Sequence, residues 1–149
     1  MNTVNTVAAL RAEVTRKLSA LPLLRQVAVL AEDKLNLPTE IAKALAQGKG
    51  FCVTVLTGSA KGKSPNLKPA QADVECIVEI AEIPPINRGS TGAQLPSIDA
   101  TVAVVAELHH FEWCRGRVLV FDEAEFAQND KIQMQKYTVI FKTDVSFEA

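Results

Sequence analysis

The first stretch of this chain whose residue types and spacing could do chemistry resembles a phosphate-binding loop. Residues 53–67 read VTVLTGSAKGKSPNL, with two glycines followed by a lysine and a serine. A phosphate-binding loop has the pattern G-x-x-x-x-G-K-[ST] and opens a helix whose amino end faces the anion. Here only three residues separate Gly58 from Gly62, and Pro65 and Pro69 oppose a helix after the serine. The sequence therefore argues against a nucleotide site and predicts a basic hairpin loop.

The lysines of this loop, Lys61, Lys63 and Lys68, leave two interpretations open. Either they keep an exposed loop soluble, or the loop is a protruding arm that docks on an acidic partner surface or on phosphates. No aromatic residue lies between the lysines to stack on bases, which argues against sequence-specific nucleic-acid recognition. All three lysines are candidate interface residues.

Two histidines and a cysteine, His109, His110 and Cys114, are the next candidates for a metal site or for nucleophilic catalysis. Adjacent residues on a helix point about 100° apart, so both imidazoles cannot easily face one ion. No C-x-x-C or H-x-x-x-H spacing is present, although a closed zinc site needs recognisable ligand spacing. Nothing in the sequence supplies an oxyanion hole or a third orienting group. The sequence therefore predicts no metal site and no nucleophile here.

Three carboxylates, Glu75, Glu79 and Glu82, are the remaining candidates for acid–base chemistry. The alternation of the surrounding segment places Glu75 and Glu79 on the solvated face of a strand, where charged side chains usually lie. We therefore predict no catalytic residue and no cofactor.

The segment IPPINRGSTG offers a different kind of site. Pro84 and Pro85 end a predicted strand, and Ile86 and Arg88 follow on what reads as an exposed loop. An apolar residue beside a fork-shaped cation is favoured at protein interfaces. The alternative is an irregular crossover to the next helix, and the sequence leaves both interpretations open.

Composition limits the class of protein. The chain has 149 residues, 48% of them hydrophobic, 22% charged, and a net charge of −1. At this length roughly 70% of the unfolded surface can be buried, so no disulfide is required. The three cysteines, an odd number without paired spacing, favour free thiols in a reducing compartment. The charged amino-terminal segment and the lack of a long apolar run predict a soluble protein made in the cytosol, with no membrane partner.

Hydrophobic periodicity predicts eight elements in one α+β domain spanning residues 1–149, with a mostly antiparallel sheet carrying its helices on one face. The predicted helices are 3–21, 36–48 and 97–113; the predicted strands are 23–33, 51–57, 73–83, 116–123 and 132–147. Long loops are predicted at 58–72 and 84–96, and a polar turn at FAQNDK (126–131). Ser97 is the predicted cap of the third helix.

The same periodicity predicts which side chains are buried. On the strand 73–83 and on the helix 97–113, apolar residues share one face with spacings of two and of three or four, respectively. The predicted buried faces are Val74, Cys76, Val78 and Ile80 on the strand, and Ile98, Val102, Val105, Leu108 and Phe111 on the helix.

The order of elements resembles that of the tail terminator, or tail completion, proteins of long-tailed bacteriophages. The resemblance is carried by VAALRAEVTRKLSAL, by FCVTVLT and DVECIVEIAEI, by IDATVAVVAELHHF, and by GRVLVFDE and IQMQKYTVIFKTDVSF. It covers most of the chain as pattern and order, without a diagnostic motif, and the segment NLPTEIAKALAQGKG departs from it. The resemblance implies a small, non-enzymatic α+β protein that forms a hexameric ring on the end of a tail tube.

Such a role implies partners and surfaces. The partners would be further copies of this chain, the tail tube protein and the head–tail connector, met first in the bacterial host cytoplasm and then in the virion tail. A closed ring requires two different patches on each subunit. Ile86, Arg88 and Trp113 are the predicted anchors of such contacts, together with the lysines of the basic loop.

Two other functional classes stay open from the sequence alone. One is a head–tail connector, an adaptor or another non-enzymatic binding module of the same fold. The other is an enzyme or a nucleotide-binding protein, which the broken loop motif disfavours.

Overall fold

A computed structural model describes residues 6–147 and contains four α-helices and seven β-strands. The helices are α1 (Val7–Ser19), α2 (Leu37–Ala42), α3 (Pro84–Asn87) and α4 (Ser97–Leu108). The strands are β1 (Ala28–Ala31), β2 (Phe51–Gly62), β3 (Ala70–Glu82), β4 (Glu112–Cys114), β5 (Arg117–Val118), β6 (Val120–Asn129) and β7 (Met134–Phe147). A 3₁₀ turn (Pro22–Leu24) follows α1, and a π-helical turn (Lys43–Gln47) continues α2.

Five of the strands form one sheet in the order β1-β2-β3-β7-β6. Strand β1 pairs with β2 in parallel, and every other pair in this sheet is antiparallel. Strands β4 and β5 form a separate small hairpin. The predicted α+β class and the mostly antiparallel sheet are therefore confirmed.

Helix α1 follows from its sequence. The Thr6 hydroxyl accepts a hydrogen bond from the Ala9 N–H at 3.2 Å and caps the first turn. Leu10, Val14 and Leu18, each four residues apart, are fully buried against the sheet. Residues 3–5 of the predicted helix lie outside the described residues.

Both long helices lie on one face of the sheet, as predicted, but the prediction is wrong for the helix 36–48, which lies on the other face. The main core joins α1 and α4 to the inward side chains of the strands, which include Phe51, Val78 and Phe141. A smaller cluster around Leu45, Cys52 and Ala81 lies on the other face, where α2 and its π-helical turn cover the end of the sheet near β1. No helix in the described part of the chain is both long and apolar enough to span a membrane.

The predicted strand 23–33 is shorter, since only Ala28–Ala31 form a strand and Pro22–Leu24 form a 3₁₀ turn. The predicted strand 116–123 is divided between β5 and β6, and the predicted loop 84–96 begins with α3.

Three further boundaries differ because of strand pairing. Strands β2 and β3 extend into the predicted loop 58–72, so that only residues 63–69 remain as a turn. The predicted polar turn FAQNDK is wrong over its first four residues, because residues 126–129 continue β6 and pair with β7. The third predicted helix ends at Leu108 instead of 113, and residues 112–114 form β4. In each case pairing with a neighbouring strand outweighs the local composition.

The buried face of α4 also differs from the prediction. Ile98 and Val102 are 47% and 63% exposed. The residues that face the core are Ser97, Ala100, Thr101, Val104 and Leu108. Ser97 is the first helical residue and not the cap, since its hydroxyl donates to Glu82 at 2.8 Å. This contact points Ser97 into the core, and helical spacing then turns the other four residues inward.

Candidate functional site

The basic loop predicted from the sequence is part of a projecting β-hairpin, which we call the arm (residues 58–73). All residues from Ser59 to Ala70 are exposed. A register shift between Thr57 and Ala60 bends β2 where the arm begins. A Cβ atom on Gly58 would lie 2.9 Å from the Ile77 side chain, so this close approach favours glycine. Gly58 and Gly62 therefore lie in a strand, and this stretch opens no helix that could face a phosphate.

A groove of about 680 Å³ lies at the base of the arm, between the arm, β7 and the β4–β5 hairpin. Its charged side chains are three cations and three anions: Lys61, Lys63, Lys142, Asp73, Glu75 and Asp144. Two of the three lysines predicted as interface residues therefore line the same groove. Lys68 lies in the exposed turn of the arm.

Ion pairs and hydrogen bonds hold the walls of this groove. The Lys63 Nζ atom is 3.3 Å from an Asp144 carboxylate oxygen and 3.6 Å from one of Asp73. Arg117 of β5 donates to the same Asp144 oxygen. The Ser59 hydroxyl donates to Glu75 at 2.9 Å across the bend in β2. The groove therefore presents both cations and anions to solvent.

The segment 84–96 is organised around a buried carboxylate. Glu82 at the end of β3 is fully buried. Its oxygens accept hydrogen bonds from Asn87 Nδ2 at 2.5 Å, from Ser97 N at 2.9 Å and from Arg88 Nη2 at 3.1 Å, besides the Ser97 hydroxyl. Asn87 lies near the start of this segment and Ser97 directly follows its end, so the contacts with Glu82 hold the segment near both ends.

These contacts decide the charge of Glu82. Burial alone would raise the pKa of this carboxyl group, but the hydrogen bonds from Ser97, Asn87 and Arg88 outweigh burial and hold the pKa below its usual value. Glu82 is therefore ionised in the folded protein near neutral pH. Its charge is matched by Arg88, and every one of its contacts lies within the fold.

The predicted interface residues Ile86 and Arg88 stand in this segment. Ile86 is half-buried beside Gly50, where an added Cβ would lie 2.8 Å from the Ile86 side chain. The Arg88 side chain keeps 53% of its surface exposed while it pairs with Glu82. Arg88 can thus contact a partner with its outer edge, whereas Ile86 contributes mainly to packing.

Trp113 lies in the core. It is 1% exposed, and its indole N–H donates to the Thr143 hydroxyl at 2.9 Å. In this structure its ring fastens the β4–β5 hairpin to β7 and is not presented to solvent.

The histidines and cysteines are used structurally. His109 Nδ1 accepts a hydrogen bond from the Phe121 N–H at 3.0 Å, and His110 adopts a positive φ of 65° just after α4. All three cysteines are free and buried, and burial raises the pKa of Cys76 to about 12. Within residues 6–147, no three His, Cys, Asp or Glu side chains are grouped to hold a metal.

Sequence reasoning did not assign the role of Glu82, although a signal for it was present. Val74, Cys76, Val78 and Ile80 alternate on the buried face of β3, and Glu82 continues that alternation. A carboxylate in phase with a buried face requires partners. The Arg117–Asp144 contact had no such signal, since it joins segments far apart in the chain.

Comparisons with known proteins give one informative result. No protein-family model matches the chain, and a search of curated proteins finds no match. Among solved structures with a similar fold is a chain described as "Virion of native gene transfer agent (GTA) particle". The two chains are 21% identical, the match covers 94% of this chain and 96% of the other, and the TM-score is 0.59. At 21% sequence identity, the match shows that the two chains share a fold.

Proposed function

We propose that this chain is a structural protein of a phage-like virion. The observation that carries the proposal is the fold shared with a virion chain over 94% of this chain and 96% of the other. The match includes nearly all of each chain, so the shared fold extends over both long helices and the whole five-stranded sheet. The role is non-enzymatic, and residues 1–149 act in it as one unit.

Within that class we propose a tail-terminator-like role: a ring of identical subunits, taken to be hexameric, that caps the tail tube and joins it to the head connector. The order of elements that resembles tail terminators supports this choice. The subunit would assemble in the bacterial cytoplasm and remain in the virion tail. A head–tail connector or another adaptor of the same fold is the alternative that the experiments below must separate.

The arm and its groove are the surface proposed to contact the tube or the connector. Lys61 and Lys68 are exposed on the arm, and the ion pair of Lys63 with Asp144 fastens the arm to β7. A fastened but exposed hairpin can dock with little ordering cost. Its partner would present carboxylates or other anionic groups to the lysines, and the outer edge of Arg88 would add a second contact.

The test is reconstitution with the tube protein and the connector protein of the same phage-like element. Purified chain is added to polymerised tubes, and electron microscopy records whether rings cap one end and stop further growth. Binding to tube ends supports the terminator role. Binding to the connector alone supports the adaptor, and binding to neither contradicts the proposal of a virion role.

The arm is tested by charge reversal. Lys61→Glu with Lys68→Glu is expected to weaken binding to the tube or connector about tenfold or more, with a reduced dependence on salt. Lys43→Glu, at an exposed position on the π-helical turn after α2, is the matched control and should bind normally. If the arm variant binds as well as the control, the arm is not the docking surface.

A further inference from the structure

Exposed apolar side chains lie at both edges of the sheet, and the two edges differ. Strand β6 forms one edge and β1 the other. Near β6, Val102 and Phe126 are 63% and 51% exposed; near β1, Leu35 is 86% exposed. Exposed apolar groups of this size in one region often mark a contact with another protein.

The first of these surfaces is a corner between α4 and β6, which we call the β6 side. Glu107 pairs with Lys17 of α1 at 3.1 Å, so that flank of α4 faces away from β6. On the other flank, His109 contacts the Phe121 backbone on β6. Ile98 and Val102 lie on the same flank as His109. Positions 98, 102, 105 and 109 are spaced by four, three and four residues, and residues with this spacing lie on one side of a helix.

Strand β6 forms the second wall of the corner. Phe126 lies opposite Tyr137 of β7, with ring centroids 5.0 Å apart, on the face of the sheet that carries α4. Half of its surface is nevertheless exposed, so α4 does not cover it. On the other face of β6, Glu123 and Glu125 are exposed. The β6 side is therefore apolar on one face and acidic on the other.

The second surface, which we call the β1 side, flanks the opposite edge strand. It carries the exposed apolar residues Leu23 and Leu35. Two exposed cations, Arg25 and Lys34, stand on either side of β1. The nearby carboxylates Glu32 and Asp33 both lie close to Arg11 of α1, at 2.9 and 3.8 Å. Arg11 offsets one of these two negative charges, and Arg25 and Lys34 exceed the remaining one, so the β1 side carries a net positive charge.

We infer that the β6 side of one copy binds the β1 side of a second copy. The partner of the β6 side is a second copy because the β1 side of this same chain is complementary to it. The leucines of the β1 side match the apolar corner, and its cations match the two glutamates of β6. The two patches lie at opposite edges of one sheet, so the contact is heterologous, and such a contact closes into a ring when its rotation allows. The inference rests on the proposed ring and names the surfaces that build it.

The decisive experiment mixes two defective variants. Val102→Ser with Phe126→Ser disrupts the β6 side, and Leu23→Ser with Leu35→Ser disrupts the β1 side. All four side chains are largely exposed, so both variants should fold and melt as the wild type does. Each variant alone is expected to lose assembly, with association at least about tenfold weaker. An equimolar mixture is expected to give dimers only, since one intact patch remains on each chain.

The matched control is Leu67→Ser with Phe147→Ser, which removes exposed apolar groups outside both sides. Native mass spectrometry or light scattering should find this control assembled as the wild type is. A test by charge reversal is independent of the apolar residues. The variant Glu123→Lys with Glu125→Lys should assemble more weakly than the wild type. Mixing it with the variant Arg25→Glu with Lys34→Glu should restore the contact.

The outcomes separate the inferred contact between the β6 side and the β1 side from the proposed terminator role. If both serine variants assemble normally, or if the wild type stays monomeric at high concentration, the inference is overturned while tube capping still tests the function. If only the β6-side variant fails, the contact joins like surfaces and the inference is again overturned. If the wild type assembles through these surfaces but caps no tube, the inference stands and the terminator role fails.

Discussion

The two ends of β3 carry charged groups in opposite situations. At its carboxyl end, the Glu82 carboxylate has no exposed surface and accepts hydrogen bonds from Asn87, Arg88 and Ser97. Near its amino end, the Asp73 side chain is 62% exposed and lies 3.6 Å from Lys63. A buried charge strongly destabilises the fold if a partner is removed, whereas an exposed pair contributes little. The first cluster therefore holds the fold, and the second remains available to partners.

The comparison also explains why charge alone did not identify a site. Both regions contain carboxylates beside cations, and the sequence gives them similar composition. Burial separates them, because water screens the pairs of the arm, whereas the Glu82 carboxylate has no exposed surface. Four measurements test how far this difference goes.

The largest expected effect comes from Glu82→Leu. It leaves the buried N–H and hydroxyl of Ser97 without their acceptor and removes one acceptor of Asn87, so the free energy of unfolding should fall by about 3–5 kcal/mol. Urea denaturation followed by circular dichroism measures it. Glu79→Leu is the control, because Glu79 pairs with Lys136 at the surface and should cost no more than about 1 kcal/mol. Equal losses in the two variants would remove the distinction between the clusters.

Next in size is Trp113→Phe. The change removes the hydrogen bond to Thr143 and leaves space in the core, which should lower the free energy of unfolding by about 1–3 kcal/mol. Combining it with Thr143→Val in a double-mutant cycle isolates the hydrogen bond, and the two losses should not add. Phe147→Leu, at an exposed aromatic outside both sides, is the control and should be nearly neutral. If the losses in free energy of unfolding add, the hydrogen bond between Trp113 and Thr143 contributes nothing to stability.

The pH dependence of stability tests the charge of Glu82. Its pKa is lowered in the folded state, so its contribution is present above the unfolded value, about 4.3, and is lost as pH falls through the folded pKa. At pH 6 the wild type should therefore have a larger free energy of unfolding than the Glu82→Gln variant. The difference between the two free energies should become smaller below about pH 4.3. Glu32, whose pKa is also lowered, is common to both proteins and cancels. A gap that stays constant with pH would mean that the folded and unfolded pKa values of Glu82 are equal.

The smallest effect on stability is expected for Lys63→Gln. Its two ion pairs lie at the surface, where such pairs contribute about 0–1 kcal/mol, so the melting curve should barely move. Binding of the tube or connector should still weaken, because the arm loses its fastening to β7. Thermal melting and the reconstitution assay together make the test. A large loss of stability would assign the arm to the structural core.

Much of the fold follows from local sequence. The spacing of Leu10, Val14 and Leu18 predicts α1, and the alternation of Val74 to Ile80 predicts the buried face of β3. These patterns succeed because one face of each element packs on a single large core. The exposed arm lysines were also predicted from the sequence, because a run of Lys, Gly and Pro has few apolar groups to bury.

Other features depended on contacts between distant segments. The face of α4 was predicted wrongly because Ile98, Val102 and Val105 form an apolar flank of the helix, whereas the bond from Ser97 to Glu82 turns a neighbouring flank toward the core. The burial of Trp113 depends on Thr143, thirty residues away. Periodicity reports which residues could face a core, but tertiary hydrogen bonds decided which ones do, since an unsatisfied buried polar group costs more than an exposed valine.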